Sequence, residues 1–129
     1  MSDARLWKWF SMFIRLRDSD EHGICSCFTC GRVGHWKTMD CGHGIGRQHK
    51  ATKFNERNNH AQCKRCNGFE EGRKDVYSKR VDELYGVGTW SALLVQSRMT
   101  TKRTQAEIDW LTDYYRDQVK AMLKLKGEK

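Results

Sequence analysis

Four cysteines form two Cys-x-x-Cys pairs, Cys27/Cys30 and Cys63/Cys66, on either side of a histidine-rich stretch. Two residues between paired thiolates let a tight turn direct both sulfurs at one ion, and two such pairs complete the tetrahedral shell that zinc prefers. Because protein ligands fill all four positions, such a zinc is structural and cannot bind water or substrate. Any chemistry is therefore expected beside the zinc, in the segment between the pairs.

The polar residues that the cysteine pairs bracket or adjoin have the types needed to hydrolyse a phosphodiester. Asp40 offers a carboxylate and Asn67 a carbonyl oxygen, which are ligands suited to Mg²⁺ or Mn²⁺. His43 is predicted to be the general base, because an unperturbed imidazole is largely neutral at physiological pH. Asn67 could instead cap the helix that starts near it. His60 is expected to support the site from behind, although His60 or His49 could replace Asp40 as metal ligand.

The two remaining cysteines, Cys25 and Cys41, are interpreted as small buried residues rather than ligands.

No apolar run reaches the roughly 20 residues of a membrane span, and the first residues do not form a signal peptide pattern. A cytoplasmic location is expected. In that compartment, cysteines are more plausible as metal ligands than as disulfides.

The chain carries 24 Lys and Arg against 16 Asp and Glu, a formal charge of +8. A basic excess of this size is typical of proteins that bind nucleic acid, although it can also serve solubility alone. Residues 44–58 are predicted to form an exposed basic loop that contacts phosphates rather than bases. The predicted phosphate contacts are Arg47, Lys50, Lys53, Arg57, Lys64 and Arg65.

The pattern of apolar residues predicts the elements that must position these groups. Residues 3–19 read as an amphipathic helix, with its aromatic residues in the core: Trp7, Trp9, Phe10 and Phe13. Residues 32–39 could form a hairpin around Gly34, and a short helix is expected around Cys66. Further helices follow Gly72, the last of them opened by a capping box of Thr104 and Glu107. The prediction is a mainly helical α+β protein with one domain, 1–129.

Three segments, 27–31, 40–45 and 53–67, resemble the phage NinG, or Rap, recombination endonucleases, and the likeness runs from Phe10 to about Gly86. That family belongs with the HNH nucleases, and its site layout is similar to that of phage endonuclease VII. The resemblance implies a zinc-braced ββα-metal core, here residues 22–73, with residues 74–129 as a helical arm for dimerisation or DNA gripping. It also implies that His43 is the base, Asn67 a metal ligand and Asn58 the residue that braces the loop. Asp40 is the expected first ligand, although Gly42 occupies the place where many HNH sequences have an acidic residue.

The function implied by this resemblance is metal-dependent cleavage of branched recombination intermediates, such as Holliday junctions and D-loops, in the cytoplasm of a bacterial host. Structural zinc, catalytic Mg²⁺ or Mn²⁺, a homodimer and phage recombination proteins as partners are the corresponding expectations. A zinc-finger-like DNA-binding module without catalysis, and an HNH nicking or homing enzyme acting on linear duplex, are the alternatives.

Overall fold

The computed structural model describes residues 2–128. Helices dominate, and four short strands form two separate two-stranded antiparallel sheets. The fold is therefore α+β and mainly helical, as predicted. The helices are α1 (Ala4–Arg17), α2 (Lys50–Lys53), α3 (Lys74–Tyr85), α4 (Thr89–Ser97) and α5 (Gln105–Leu125). The strands are β1 (Ile24–Ser26), β2 (Val33–His35), β3 (Met39–His43) and β4 (Asn59–Cys63).

The first and last helices pack against each other and enclose the main hydrophobic core. The predicted helix 3–19 is confirmed with slightly shorter bounds, and Phe10 of α1 meets Tyr115 of α5 edge to face, with ring centroids 5.0 Å apart. α5 begins where the capping box predicts, since the Thr104 hydroxyl accepts a hydrogen bond from the backbone N–H of Glu107 at 3.1 Å. The described residues contain no helix with the length and apolar character needed to cross a bilayer.

The predicted hairpin over residues 32–39 is wrong. β2 pairs with the preceding strand β1 in antiparallel orientation, with Ile24 opposite His35. A 3-10 turn over Trp36–Thr38 then leads the chain into β3. Trp36 is buried, which anchors this turn against α1. The turn between β1 and β2 holds the first cysteine pair, so the hairpin is built around the metal knuckle instead of around Gly34.

β3 pairs with β4 residue by residue from Met39 opposite Cys63 to His43 opposite Asn59. This ladder has no bulge, so strand alternation directs Asp40 and His43 to opposite faces. β4 is buried at every position and leads directly into a π-helical turn over Arg65–Phe69. The short helix expected around Cys66 is therefore present, as a single turn that carries Asn67.

The segment 44–58 is more ordered than the exposed loop that its composition indicated. It contains α2 and buries several side chains, among them Ile45, Phe54 and Asn58. Ile45 joins a second hydrophobic cluster with Phe28 of the zinc knuckle and with Tyr77 of α3. α3 and α4 thus pack onto the metal-binding region through this cluster, whereas α5 packs against α1.

Candidate functional site

The four cysteine sulfurs Cys27, Cys30, Cys63 and Cys66 lie within 4.8 Å of one another, although the chain separates the two pairs by more than thirty residues. The sulfurs of Cys30 and Cys63 are 3.7 Å apart. Zinc–sulfur bonds of about 2.3 Å in a tetrahedron place the sulfurs ~3.8 Å apart, so this spacing fits a bound zinc. The structure supports the predicted ligand set of a structural metal.

Hydrogen bonding already favours the metal-binding thiolate form of one ligand. Burial acts to raise the pKa of the Cys27 thiol, but hydrogen bonds from Thr29 and from backbone amides outweigh it and lower that pKa to about 6. Cys25 and Cys41 lie outside the cluster. Cys25 is buried, and burial raises the pKa of Cys41 to about 12, so neither behaves as a reactive thiol.

A cleft of about 290 Å³ lies beside the zinc cluster and gathers the three residues predicted to do chemistry. Asp40, His43 and Asn67 all line it, although Asp40 and His43 belong to opposite faces of β3. α1 forms the facing wall. The other lining residues are Trp7, Ser11, Arg15, Met39, Cys41 and Arg47.

Asp40 and Asn67 are in direct contact across this cleft. The Asn67 amide nitrogen donates to one carboxylate oxygen of Asp40 at 3.1 Å, and the Lys64 ammonium pairs with the other at 2.7 Å. The turn that carries Asn67 starts after Lys64, so Asn67 lies inside it and does not cap it. The two predicted oxygen ligands therefore meet, at a carboxylate that already attracts a cation.

His43 ends β3 with its ring half-buried in the cleft wall. Burial, with the positive charges of Lys74 and Arg47, lowers the pKa of His43 to about 4. The imidazole is then neutral at physiological pH and able to accept a proton. Its Nδ1 atom is buried and has no hydrogen-bond partner among residues 2–128. An unpaired buried nitrogen is costly, so a ligand or water is expected to contact it.

Asn58 and His60 are buried beneath this site and do not reach its surface. Asn58 is fully buried and closes the loop after β3, since its side chain accepts from the Ile45 N–H at 2.8 Å and donates to the Ile45 and Thr52 carbonyls. His60 stacks on Phe28 with ring centroids 3.9 Å apart. Neither residue lines the cleft.

The ring nitrogens of His60 bond to two tyrosine hydroxyls, Nδ1 to Tyr77 at 2.9 Å and Nε2 to Tyr85 at 2.7 Å. The Tyr77 hydroxyl donates to a backbone carbonyl, that of Gly42 or of Asn58, and so accepts from Nδ1, which leaves Nε2 to accept from Tyr85. His60 is thus committed to a buried network. His49 is exposed at the start of α2 and does not line the cleft, so Asp40 is the best placed of the three candidate ligands.

The family described as Bacteriophage Lambda NinG protein matches residues 3–126. The chain belongs to the NinG family. The match extends beyond the likeness seen in the motifs and includes α1 and α5. No curated protein and no solved structure shows a significant match to this chain.

Several residues in or beside the NinG-family cleft were missed by sequence reasoning, because they lie on α1 and α3, outside the motifs. Arg15 of α1 lines the cleft, with its guanidinium hydrogen-bonded to the Ser11 and Met39 carbonyls. Trp7 was expected in the core but is only half-buried, and Arg47 stacks on it with 4.8 Å between guanidinium carbon and ring. Lys74 donates to the backbone carbonyl of His43. The only sequence signal for Trp7 and Arg15 was the basic and aromatic composition of α1, and Lys74 of α3 had no such signal.

The six basic residues predicted to contact phosphates differ in their surroundings in the NinG-family structure. Arg47 lines the cleft, and Lys50 and Arg57 are exposed along the segment after it. Lys53 is mostly buried and pairs with Asp3 at 2.8 Å, which makes it the least available. Lys64 and Arg65 are exposed beside Asn67, although Lys64 is engaged by Asp40.

Proposed function

We propose that this protein is a metal-dependent DNA endonuclease of the HNH type that cuts branched recombination intermediates. The observation that carries the proposal is the cleft in which Asp40, His43 and Asn67 meet two arginines, Arg15 and Arg47. A carboxylate and an amide oxygen that can bind a metal, an imidazole base and nearby positive charges meet the needs of phosphodiester hydrolysis. That reaction needs the metal-binding oxygens, the imidazole and the positive charges together, and this cleft contains all three.

The order of elements around the cleft also supports an HNH assignment. β3 and β4 are antiparallel and are followed at once by the turn that carries Asn67, a ββα arrangement. The cysteine cluster joins the first knuckle to the end of β4, and so fixes the position of that turn. Zinc is proposed as a brace for this arrangement and not as the catalyst.

The donor set of the cleft fits a hard divalent cation. Asp40 and Asn67 would hold Mg²⁺ or Mn²⁺, which supplies Lewis-acid stabilisation of charge on the phosphate. The ion pair of Asp40 with Lys64 shows that this carboxylate favours a positive partner. Exchange of the Lys64 ammonium for the ion would leave Lys64 free to contact DNA.

The remaining work falls to side chains of the chain itself. His43, neutral because its pKa is lowered to about 4, accepts the proton of the attacking water. Arg15 and Arg47 bind the non-bridging phosphate oxygens from the α1 side and from the loop after β3. Asn58 maintains the loop that follows His43, and so fixes the base against the phosphate.

Branched DNA is the preferred substrate in this proposal, by extension from recombination endonucleases. Trp7 offers support, because a half-buried indole at the cleft can stack on a base that is unpaired at a junction. Action in the cytoplasm of a bacterial host, alongside phage recombination proteins, belongs to the same proposal.

A DNA-binding module without catalysis is the second candidate, and one observation favours it. Both oxygens of Asp40 are engaged, by Lys64 and by Asn67, as expected of a structural carboxylate. In that case the basic residues bind DNA and His43 is only a packing residue.

Cleavage of a four-way junction with added Mg²⁺ separates these candidates. Wild type is expected to cut, and His43→Ala to lose roughly 10²- to 10⁴-fold in rate while it retains DNA binding. His22→Ala, at an exposed histidine away from the cleft, is the matched control and should cut normally. Wild-type inactivity on junctions, flaps and D-loops would refute the proposal. Discrete fragments from linear duplexes would instead identify a sequence-preferring nickase.

A further inference from the structure

α5 is apolar on two opposite faces. One face packs against α1 and buries Ile108, Tyr115 and Val119. The opposite face exposes Trp110, Tyr114 and Leu125 to 65%, 41% and 84%. A helix at the surface of a globular protein normally has one apolar face, so the second face calls for a partner.

The exposed apolar residues lie along one side of α5 as a stripe, which Asp117 and Gln118 interrupt at its middle. The rings of Trp110 and Tyr114 stack with centroids 5.5 Å apart at an angle of 9°. Ala121 and Leu125 extend the same side of the helix at helical spacing. The stripe thus covers most of a helix that is roughly 30 Å long.

Charge along α5 is divided between its two halves. Acidic residues occupy the first part and the centre, while Arg116, Lys120 and Lys124 occupy the second part. The helix dipole favours acids and bases at opposite ends only within the first and last turns. Asp113 and Asp117 lie well inside the helix, so the dipole does not explain their placement.

The apolar stripe and the charge pattern of α5 both match those of a second copy of the helix that runs in the opposite direction. A two-fold axis through the midpoint between Asp117 and Gln118 places Trp110 opposite Leu125 of a second copy, and Tyr114 opposite Ala121. It also brings the acidic half of each helix alongside the basic half of the other. We propose that the exposed stripe of α5 binds a second copy of this chain in an antiparallel, two-fold symmetric pair.

The flanking charges fit this register. Asp113 and Lys124, and likewise Asp117 and Lys120, lie on one flank of the stripe, and flanks of the same kind face each other in antiparallel helix pairs. In a parallel pair opposite flanks face each other, so Asp113 of one copy would not meet Lys124 of the other. Both aspartates also contact Arg116 in their own chain, at 3.1 and 3.2 Å. Their side chains stay 61% and 66% exposed, so they remain available to a partner.

One helix pair buries less than the ~1,600 Å² of a standard interface, so the dimer depends on protein concentration. Sedimentation equilibrium of the zinc-loaded full chain, without DNA, tests it directly. Wild type should pass from monomer to dimer as concentration rises. Trp110→Ala should raise the dimer dissociation constant at least ~10-fold, because an aromatic residue at the end of the stripe is lost.

Charge reversal tests the register separately from the apolar contact. Asp113→Lys and Lys124→Asp should each weaken the dimer several-fold, and the double variant should recover most of the loss. Glu83→Lys, an exposed acid on α3, is the matched control and should leave association unchanged. Circular dichroism of each variant verifies that its helices are intact.

Wild type that remains monomeric over the whole accessible concentration range would overturn the proposal. A double variant no better than the single reversals would overturn the antiparallel register. Loss of DNA affinity in Trp110→Ala, with self-association unchanged, would show that the stripe binds DNA and not a second copy. Self-association is measured without DNA and without cleavage, so that result is independent of the proposed nuclease activity. The DNA affinity of Trp110→Ala is measured in a separate binding experiment.

Discussion

The side chain of Gln62 lies directly over Gly42 across the β3–β4 ladder. A Cβ atom on residue 42 would come 1.8 Å from the Gln62 Oε1 atom, a distance that no packing tolerates. Gln62 is fully buried and is fixed there by hydrogen bonds from its amide to Thr29 and to the Gly72 carbonyl. This contact explains why position 42 holds a glycine and not a residue with a longer side chain. The acid at Asp40 faces Gln62 in the same ladder.

Gly42→Ala is therefore expected to lower the free energy of unfolding by ~1–3 kcal/mol, the usual cost of an overpacked core. Chemical denaturation measures the loss. Gly68→Ala is the matched control, because a Cβ there meets no atom within 4 Å. Adding Gln62→Ala to Gly42→Ala should cost less than the two single losses combined. Full additivity would show that the two residues do not clash.

Removal of the metal should unfold or loosen the chain, since the cysteine cluster joins two distant knuckles. We expect one zinc per chain by elemental analysis, lost in Cys63→Ser and retained in His43→Ala. Cys41→Ser is the control, because that sulfur lies outside the cluster. A chelator should lower the melting temperature of wild type. Zinc retained by Cys63→Ser would contradict the four-cysteine site.

Arg47→Ala should reduce kcat/KM for junction cleavage roughly ten- to a hundredfold, because a charged hydrogen bond to phosphate contributes ~1.5–3 kcal/mol. The residue is exposed at the cleft mouth, so stability should change little. Arg98→Ala, an exposed arginine at the end of α4, is the matched control. Equal activity of Arg47→Ala and wild type would remove Arg47 from phosphate binding.

Stability should fall in mild acid because of His60. Burial, with the positive charges of Arg17 and Arg80, lowers the pKa of His60 to about 3, against about 6.5 in an unfolded chain. The unfolded state therefore binds a proton first as pH falls, and stability is full above about pH 6.5 and declines towards pH 3. One such proton changes the free energy of unfolding by up to ~1.4 kcal/mol per pH unit.

Urea unfolding at pH 7 and pH 5 measures this decline before most carboxylates titrate. His60→Gln should show a smaller difference between the two pH values than wild type, although it is less stable at pH 7. His22→Gln, at an exposed histidine, should match wild type. An unchanged pH dependence in His60→Gln would mean that the pKa of His60 is the same in the folded and the unfolded chain.

The sequence predicted those parts of the site that depend on local spacing. The cysteine pairs, the first helix and the capped last helix all have short-range patterns, and each is present. The pairing of β1 with β2 was not predictable, because the metal knuckle and the buried Trp36 decide where the chain turns. The roles of Trp7 and Arg15 were also hidden, since they depend on how α1 docks against β3. Strand alternation sends the side chains of Asp40 and His43 to opposite faces of β3, so a bulge was needed to bring them together. The ladder has no bulge, and both residues still line the cleft.

The docking of α1 on α5 has a consequence for the order of events during synthesis. α1 leaves the ribosome long before the helix that covers its apolar face, in which Tyr115 packs against Phe10. Contacts so distant along the chain form late in folding. A nascent chain can assemble its zinc knuckles while the wall that holds Trp7 and Arg15 is still loose. We therefore expect the cleft to be complete only once α5 has been translated.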